Sequence, residues 1–155
     1  MANKTNPQKR TIVLASGVFD VLHLGHVRFL EEAKKAGGPN AELIVIVARD
    51  SLVERNKGQK PVMPENQRRA VVDSLKVVDE AILGYEKFDI GEVIQKIKPD
   101  IVAFGHDQTA LEKRVKDYVQ SKGLNIKIVR IGKFSEDELD SSSKIKQKII
   151  EDFRR

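Results

Sequence analysis

Two histidines with a glycine between them are the residues best suited to do chemistry in this chain. His23, Gly25 and His26 close the ten-residue segment GVFDVLHLGH. An apolar run at 11–16 precedes this segment and an amphipathic stretch follows it, so the histidines lie where a strand passes into a helix. The first turn of such a helix has unpaired N–H groups and the positive end of the helix dipole, which bind phosphate. Gly25 allows close approach of the backbone, and we predict phosphate chemistry here.

A metal site is the alternative interpretation of these histidines. Zinc needs three or four ligands from His, Cys or carboxylate side chains. His106 is the only other histidine and the chain has no cysteine, so a histidine site would require all three imidazoles to converge. The absence of cysteine also excludes disulfides and a cysteine nucleophile.

Composition indicates an ordinary globular protein. The 155 residues are 40% hydrophobic and 33% charged, which fits one domain with a real core. We expect residues 1–10, which are polar and basic, to form a flexible N-terminal arm, and residues 11–155 to form a single domain. The apolar run at 43–48 is too short to span a bilayer. These features predict a cytoplasmic protein with no membrane partner.

The charge pattern argues against nucleic-acid binding. Twenty-eight basic residues are mixed with 23 acidic ones for a net charge of +5, and aromatic residues make up only 5%. A nucleic-acid interface is typically a dense basic stripe with interleaved aromatics. Positive charge near a nucleotide triphosphate site explains the surplus equally well.

Apolar runs alternate with helix-period stretches along the chain. Strands are predicted at 11–16, 42–48, 79–83, 100–104 and 126–131, and helices at 25–36, 65–76, 89–97, 109–122 and 142–153. Continuous apolar strands between helices predict a doubly wound α/β fold with a five-stranded parallel sheet of Rossmann-like type. Ligands bind such sheets beyond the carboxyl ends of the strands, where the strand order reverses. The segments after the first and fourth strands, 17–26 and 105–108, are therefore expected to be neighbours.

The histidine segment resembles the signature of the cytidylyltransferase-like nucleotidyltransferases. Four further blocks carry the resemblance, which extends from residue 11 to about 150: KGQKP at 57–61, ENQRR at 65–69, GHDQ at 105–108 and SSSKI at 141–145. The family resemblance implies that an acceptor phosphate attacks the α-phosphorus of a nucleoside triphosphate and that pyrophosphate leaves. Catalysis then rests on positioning and on stabilisation of phosphate charge.

The resemblance also assigns residues to roles. It implies that His23, His26, Lys60 and Arg68 are catalytic, and that Lys57 and Lys60 bind the acceptor phosphate. The implied nucleotide-binding residues are Gly17, Val18, Phe19, Asp20, His23, Leu24, Gly25, His26, Gly105, Asp107, Gln108, Phe134, Ser141, Ser142 and Ser143. Mg²⁺ or another divalent cation would be bound through the nucleotide phosphates, with no protein metal site, and a homodimer is expected.

Several of these residues have a second interpretation. Asp20 can orient its loop by hydrogen bonds, Asp107 can cap the helix that follows it, and the three serines can form an N-cap with polar neighbours. One of Arg68 and Arg69 is expected to face solvent.

Among such enzymes, the blocks resemble most closely those of the archaeal FAD synthases, which transfer an adenylyl group from ATP to FMN. The second interpretation is a glycerol-3-phosphate cytidylyltransferase, a family with an Arg-Thr-x-Gly-Ile-Ser-Thr block near its C-terminus. Here a charged insertion at 133–140 separates Arg130 from Ser141. Other phosphorylated acceptors, and a non-catalytic nucleotide-binding module, are further alternatives.

Overall fold

A computed structural model describes residues 9–134 and 139–155. Most of the predicted N-terminal arm, residues 1–8, and residues 135–138 of the charged insertion lie outside the described residues. The elements are β1 (Thr11–Gly17), α1 (Leu24–Ala36), β2 (Ala41–Val47), α2 (Asp50–Lys57), α3 (Glu65–Asp73), β3 (Glu80–Leu83), α4 (Ile90–Ile97), β4 (Ile101–Phe104), α5 (Thr109–Ser121), β5 (Lys127–Arg130) and α6 (Ser142–Phe153).

The five strands form one parallel sheet in the order β3-β2-β1-β4-β5. The central strand β1 pairs with β2 on one side and β4 on the other, with Ala15 opposite both Val45 and Ala103. The strand order therefore reverses between β1 and β4. This confirms the predicted doubly wound fold and places the switch point at the end of the strand that precedes the histidines.

Two apolar layers cover the sheet because its strands are hydrophobic on both faces. On one face Leu30 of α1 and Val72 of α3 pack against Val13 and Val45. On the other face Val93 of α4 and Val115 of α5 pack in a cluster with Leu14 and Val102. Because all five strands are parallel, their carboxyl ends lie at one edge of the sheet, and the segments that carry the predicted site residues follow β1 and β4 there. Within the described residues, no helix combines the length and apolarity needed to cross a bilayer.

The sequence predicts no helix between β2 and α3, but the structure has α2 there. Only Val53 of its eight residues is buried, so the segment lacks the apolar periodicity by which helices are recognised. Lys57 is consequently the last residue of α2 rather than part of a loop. α3 also ends three residues earlier than the predicted limit at 76.

Candidate functional site

The segments that follow β1 and β4 are joined by the side chain of Gln108. Its amide nitrogen donates to the carbonyl of Ser16 at 3.0 Å, and its amide oxygen accepts from the N–H of Gly105 at 2.8 Å. Gln108 therefore satisfies a backbone group at the end of each strand. This amide therefore bridges the two segments, which the predicted switch point makes neighbours.

His23 and His26 cap the N-terminus of α1 reciprocally. The Nδ1 atom of His23 accepts from the N–H of Gly25 at 3.0 Å, and the Nδ1 atom of His26 accepts from the N–H of His23 at 3.2 Å. Because each Nδ1 is an acceptor, the neutral rings carry their proton on Nε2. Neither Nε2 has a hydrogen-bond partner in the described part of the chain, so both are available to donate to phosphate oxygens.

Gly25 has no side chain because the imidazole of His23 occupies that space. A Cβ built at Gly25 would lie 2.8 Å from the ring of His23 and 3.5 Å from the carbonyl oxygen of Asp140. The rings of His23 and His26 lie 3.9 Å apart between centroids, and the ring of the buried Phe19 lies 5.5 Å from His26. The glycine therefore allows His23 to fold back onto the helix terminus beside His26.

Both histidines are held in the neutral form. Burial, together with the adjacent His23, lowers the pKa of His26 from 6.5 to about 4. Burial also lowers the pKa of His23, although the carboxylate of Asp140 opposes this shift. Because neutral imidazole keeps one N–H donor and one acceptor, the capping hydrogen bonds and the outward Nε2 donors persist together at neutral pH.

The motif loop, residues 18–23, takes a strained path between β1 and α1. Phe19 and Val21 have positive φ values of 54° and 48°, a region that non-glycine residues rarely adopt. Asp20 lies between them and is only 5% exposed. The reversal of the backbone at Phe19 and Val21 places the side chain of Asp20 inside the protein.

The carboxylate of Asp20 joins three parts of the chain. Its oxygens accept from the N–H groups of Val62 and Met63 at 2.8 and 2.9 Å. The ammonium group of Lys146, in α6, lies 2.9 Å from the same carboxylate. Burial alone would raise the pKa of Asp20, but these hydrogen bonds and the charge of Lys146 outweigh it and hold the pKa below its ordinary value.

The three serines at the start of α6 lie in three different environments. Ser141 is the N-cap, and its side chain accepts from the N–H of Lys144 at 3.2 Å. The hydroxyl of Ser142 donates to the carbonyls of Asp20 and Val21. Ser143 is exposed. The structure thus brings the start of α6 against the motif loop, and Ser142 makes the contact.

The N-termini of α2 and α3 cap each other. The N–H of Asp50 donates to the carboxylate of Glu65 at 2.7 Å, and the N–H of Glu65 donates to the carboxylate of Asp50 at 3.3 Å. Each carboxylate also satisfies the positive end of the opposite helix. Between these helices runs the α2–α3 segment, residues 58–64, with Lys60 exposed on it and Lys57 exposed immediately before it.

Arg68 is fully buried in the same region. Its guanidinium donates to the carbonyls of Val18 and Met63 at 2.7 and 2.9 Å, and to the carboxylate of Asp50 at 2.6 Å. The side chain has no exposed surface, so in this conformation it reaches no space where a phosphate could bind. Arg69, in contrast, is part-exposed and pairs with Asp73.

The remaining predicted residues lie on the β4 side of the site or at its margin. Gly105 is half-buried and Asp107 exposed at the end of β4, and Gln108, rather than Asp107, is the N-cap of α5. Phe134 packs against the apolar cluster of α1 and α3. Leu24 is exposed on the first turn of α1. Across residues 9–134 and 139–155, no group of three or more His, Cys, Asp or Glu residues is arranged to hold a metal.

Sequence reasoning missed the residues that support this site. Asp50 and Glu65 each begin a helix, and an acidic residue in the first turn is a recognisable signal, but the pairing of the two helix ends is visible only in three dimensions. Lys146 has no sequence signal, since it is one lysine among several in α6.

A family model for cytidylyltransferase-like proteins matches residues 14–148. The chain belongs to that family. An FAD synthase of Methanopyrus kandleri is 47% identical over 92% of this chain and 94% of its own length. An FAD synthase of Ferroglobus placidus is 50% identical over 89% of this chain and 87% of its own length.

Solved structures agree with the fold. A structure described as a lipopolysaccharide core biosynthesis protein from Thermoplasma volcanium is 46% identical, has a TM-score of 0.73 and covers 82% of this chain and all of its own. A pantothenate synthetase from Thermus thermophilus, with a TM-score of 0.57, 15% identity and coverage of 84% of this chain and 58% of its own, shows the likeness of the fold alone.

Proposed function

We propose that this protein transfers an adenylyl group from ATP to FMN, producing FAD and pyrophosphate. The proposal is carried by the two neutral histidines on the N-terminus of α1, at the switch point, whose Nε2 donors have no partner among residues 9–134 and 139–155. Such N–H donors bind the anionic oxygens of a phosphate more strongly than a neutral carbonyl oxygen, and a protonated Nε2 cannot ligate a metal ion. The FAD synthases that are 45–50% identical over most of the chain support the choice of ATP and FMN.

The reaction is a direct in-line displacement. A phosphate oxygen of FMN forms a bond to the α-phosphorus of ATP as the bond to the pyrophosphate oxygen breaks. The negative charge grows on the leaving pyrophosphate, and the α-phosphate passes through a crowded, highly charged arrangement. The Nε2 donors of His23 and His26 stabilise that charge without transferring a proton, because their pKa values lie below neutrality.

The two substrates occupy opposite halves of the carboxyl edge of the sheet. We place the nucleotide on the β4–β5 half, near Gly105, Asp107, Phe134 and the first turn of α6. We place the acceptor phosphate on the β2–β3 half, near Lys57 and Lys60. Both lysines are exposed and make no ion pair with the described residues, so their charge is available to an anion.

Arg68 and Asp20 take positioning roles in this proposal. Each of the three nitrogens of the Arg68 guanidinium donates to a protein acceptor, and the carboxylate of Asp20 accepts three protein partners. We therefore propose that Arg68 holds the motif loop and the α2–α3 segment in place rather than binding phosphate.

The side chains that face the site suit a divalent cation carried by the substrate. Imidazole N–H groups, lysines and serines bind phosphate oxygens, whereas the buried carboxylate of Asp20 is already satisfied by protein donors. A Mg²⁺ ion bound through the ATP phosphates would neutralise their charge and polarise the leaving pyrophosphate. Nucleotide binding would then depend on the metal through the ligand, without a protein cage.

The decisive experiment compares pyrophosphate release with magnesium for ATP plus FMN and for CTP plus glycerol 3-phosphate. We expect turnover only with the first pair, with FAD identified by chromatography. Turnover only with the second pair would replace this proposal with the cytidylyltransferase alternative. No release with either pair would contradict both and direct the search to other phosphorylated acceptors.

We also propose that the protein is a homodimer, on the strength of the family resemblance. Light scattering coupled to size exclusion should give twice the chain mass of 17.4 kDa. A mass equal to one chain at micromolar concentration would contradict the proposal.

A further inference from the structure

Helix α6 is attached to the rest of the molecule with little apolar burial. It has no buried residue, and Ile149, Ile150 and Phe153 are exposed, the last by 87%. A helix held by its apolar face is fixed in rotation by the side chains it buries. Because α6 lacks such side chains, its orientation has to be set by other contacts.

Two side chains of α6 supply those contacts, and both reach Asp20. The hydroxyl of Ser142 donates to the backbone carbonyl of Asp20, and the ammonium of Lys146 pairs with its carboxylate at 2.9 Å. Residues four apart lie one above the other on one helix face. The pair therefore fixes both the rotation of α6 about its axis and its distance from the motif loop.

The other polar side-chain contacts of α6 cannot do this. In the described part of the chain, the ion pairs of Lys144 and Lys148 stay with Asp140, just before the helix, and with Asp152 within it. The bond between Gln147 and Glu151 is also internal to the helix. Among the described residues, Lys146 is thus the residue of α6 whose ion pair joins the helix to a distant part of the chain, the motif loop.

Asp20 is a firm anchor for this contact. It is 5% exposed, and the N–H groups of Val62 and Met63 also hold its carboxylate. A charge-assisted bond to a carboxylate fixed in this way is stronger than one to a mobile surface group, because little side-chain freedom remains to be lost.

We propose that Lys146 is a positioning residue that fixes α6, through Asp20, so that the N–H groups of its first turn face the nucleotide phosphates. This rests on the proposed function in one respect, the placement of the nucleotide at the start of α6. Lys146 itself does not have to touch the nucleotide, since its ammonium is engaged with Asp20. Its effect is on where the first turn of α6 points.

The test compares Lys146→Met with Lys148→Met, a matched control on the same helix whose lysine, among the described residues, pairs with Asp152 alone. Calorimetric titration with MgATP should give a dissociation constant about tenfold higher for Lys146→Met, the scale of one charge-assisted hydrogen bond. We expect Lys148→Met to equal the wild type. Lys146→Arg, which keeps the cation, should recover most of the lost affinity.

Steady-state kinetics separate positioning from a general loss of structure. We expect Lys146→Met to raise the KM for ATP while the KM for FMN stays close to that of the wild type, with a modest fall in melting temperature because the buried Asp20 loses its countercharge. An unchanged dissociation constant for MgATP would overturn the inference, as would equal rises in both KM values. Absence of MgATP binding by the wild type would overturn it too.

The comparison of MgATP dissociation constants does not depend on which product the protein makes. If no FAD forms but MgATP binds the wild type more tightly than Lys146→Met, the proposed function fails and the inference stands. If FAD forms and the two proteins bind MgATP equally, the proposed function stands and the inference fails.

Discussion

The two halves of the carboxyl edge hold their helices by different means. On the β2–β3 half, α2 and α3 exchange capping carboxylates, and the fully buried Arg68 ties both to the motif loop. On the half where we place the nucleotide, α6 has no buried residue and reaches the motif loop through Ser142 and Lys146. α3 is therefore tied into the core through Arg68, whereas α6 is attached to the surface of the molecule.

The difference indicates how each half serves binding. A densely bonded region opens only with most of the protein, whereas a helix with few buried contacts opens locally at lower free energy. We therefore expect the acceptor side to be preformed and α6 to be the element that adjusts when the nucleotide binds. The motif loop lies between the halves and is contacted by both.

The largest effect is expected at His26, whose Nε2 is one of the two donors that we propose for the reacting phosphate. His26→Ala removes one donor to the reacting phosphate, and turnover should fall by roughly 10²- to 10³-fold, as for the loss of one oxyanion donor. Steady-state assays of FAD formation measure this directly. The exposed His106→Ala is the matched control and should leave turnover unchanged; near-normal turnover of His26→Ala would contradict its assigned role.

The comparison between the halves can be tested by unfolding. Asp50→Ala leaves the buried guanidinium of Arg68 without its carboxylate, and we expect a loss of about 3 kcal/mol in the free energy of unfolding. Asp152→Ala removes an exposed carboxylate from α6 and should cost less than about 0.5 kcal/mol. Urea titration followed by circular dichroism gives both free energies of unfolding. Equal losses would contradict the claim that α2 and α3 are held more firmly than α6.

Ser142 tests whether the attachment of α6 is local. Ser142→Ala deletes the hydrogen bonds to the motif loop, worth about 1 kcal/mol, and should weaken MgATP binding by about fivefold with the fold intact. Ser121→Ala, which deletes a hydroxyl bonded to a carbonyl of its own helix, is the control. If the two variants bind MgATP with the same dissociation constant, Ser142 acts only as part of the helix start.

The smallest effect near neutral pH concerns the protonation of His26. Its folded pKa of about 4 lies below the ordinary 6.5, so the unfolded chain takes up the proton first. Stability is therefore complete above pH 6.5 and falls as the pH decreases from 6.5 towards 4. The ring signals of His26, assigned with His26→Ala, should titrate in NMR spectra near pH 4; a midpoint near 6.5 would show that the ring is not held neutral.

The fold was predictable because its signals are local. Continuous apolar strands that alternate with amphipathic helices predict a parallel sheet. The predicted limits of these elements lie within one or two residues of those in the structure, except for α3, which ends earlier, and α2, which was not predicted. The meeting of the segments after β1 and β4 follows from strand order. It required no knowledge of side-chain contacts.

The site was only partly predictable because its supporting contacts are long-range. Arg68 occurs in a block that resembles a phosphate-binding motif, yet whether a guanidinium faces a ligand or a carbonyl depends on burial, which no local pattern specifies. The bond between Val62 and Asp20 spans 42 positions, and that between Ser142 and Asp20 spans 122. Contacts between residues so far apart in sequence produce no periodic pattern from which they could be predicted.

The left-handed backbone at Phe19 and Val21 has a consequence for how this chain can change by mutation. Each of these residues costs about 1–2 kcal/mol relative to glycine in that conformation. Glycine at Val21 would thus be favoured for stability, while the same change at Phe19 would empty the space beside His26 and cost more than it relieved. Within this loop, a change to glycine can therefore raise stability at Val21 but not at Phe19.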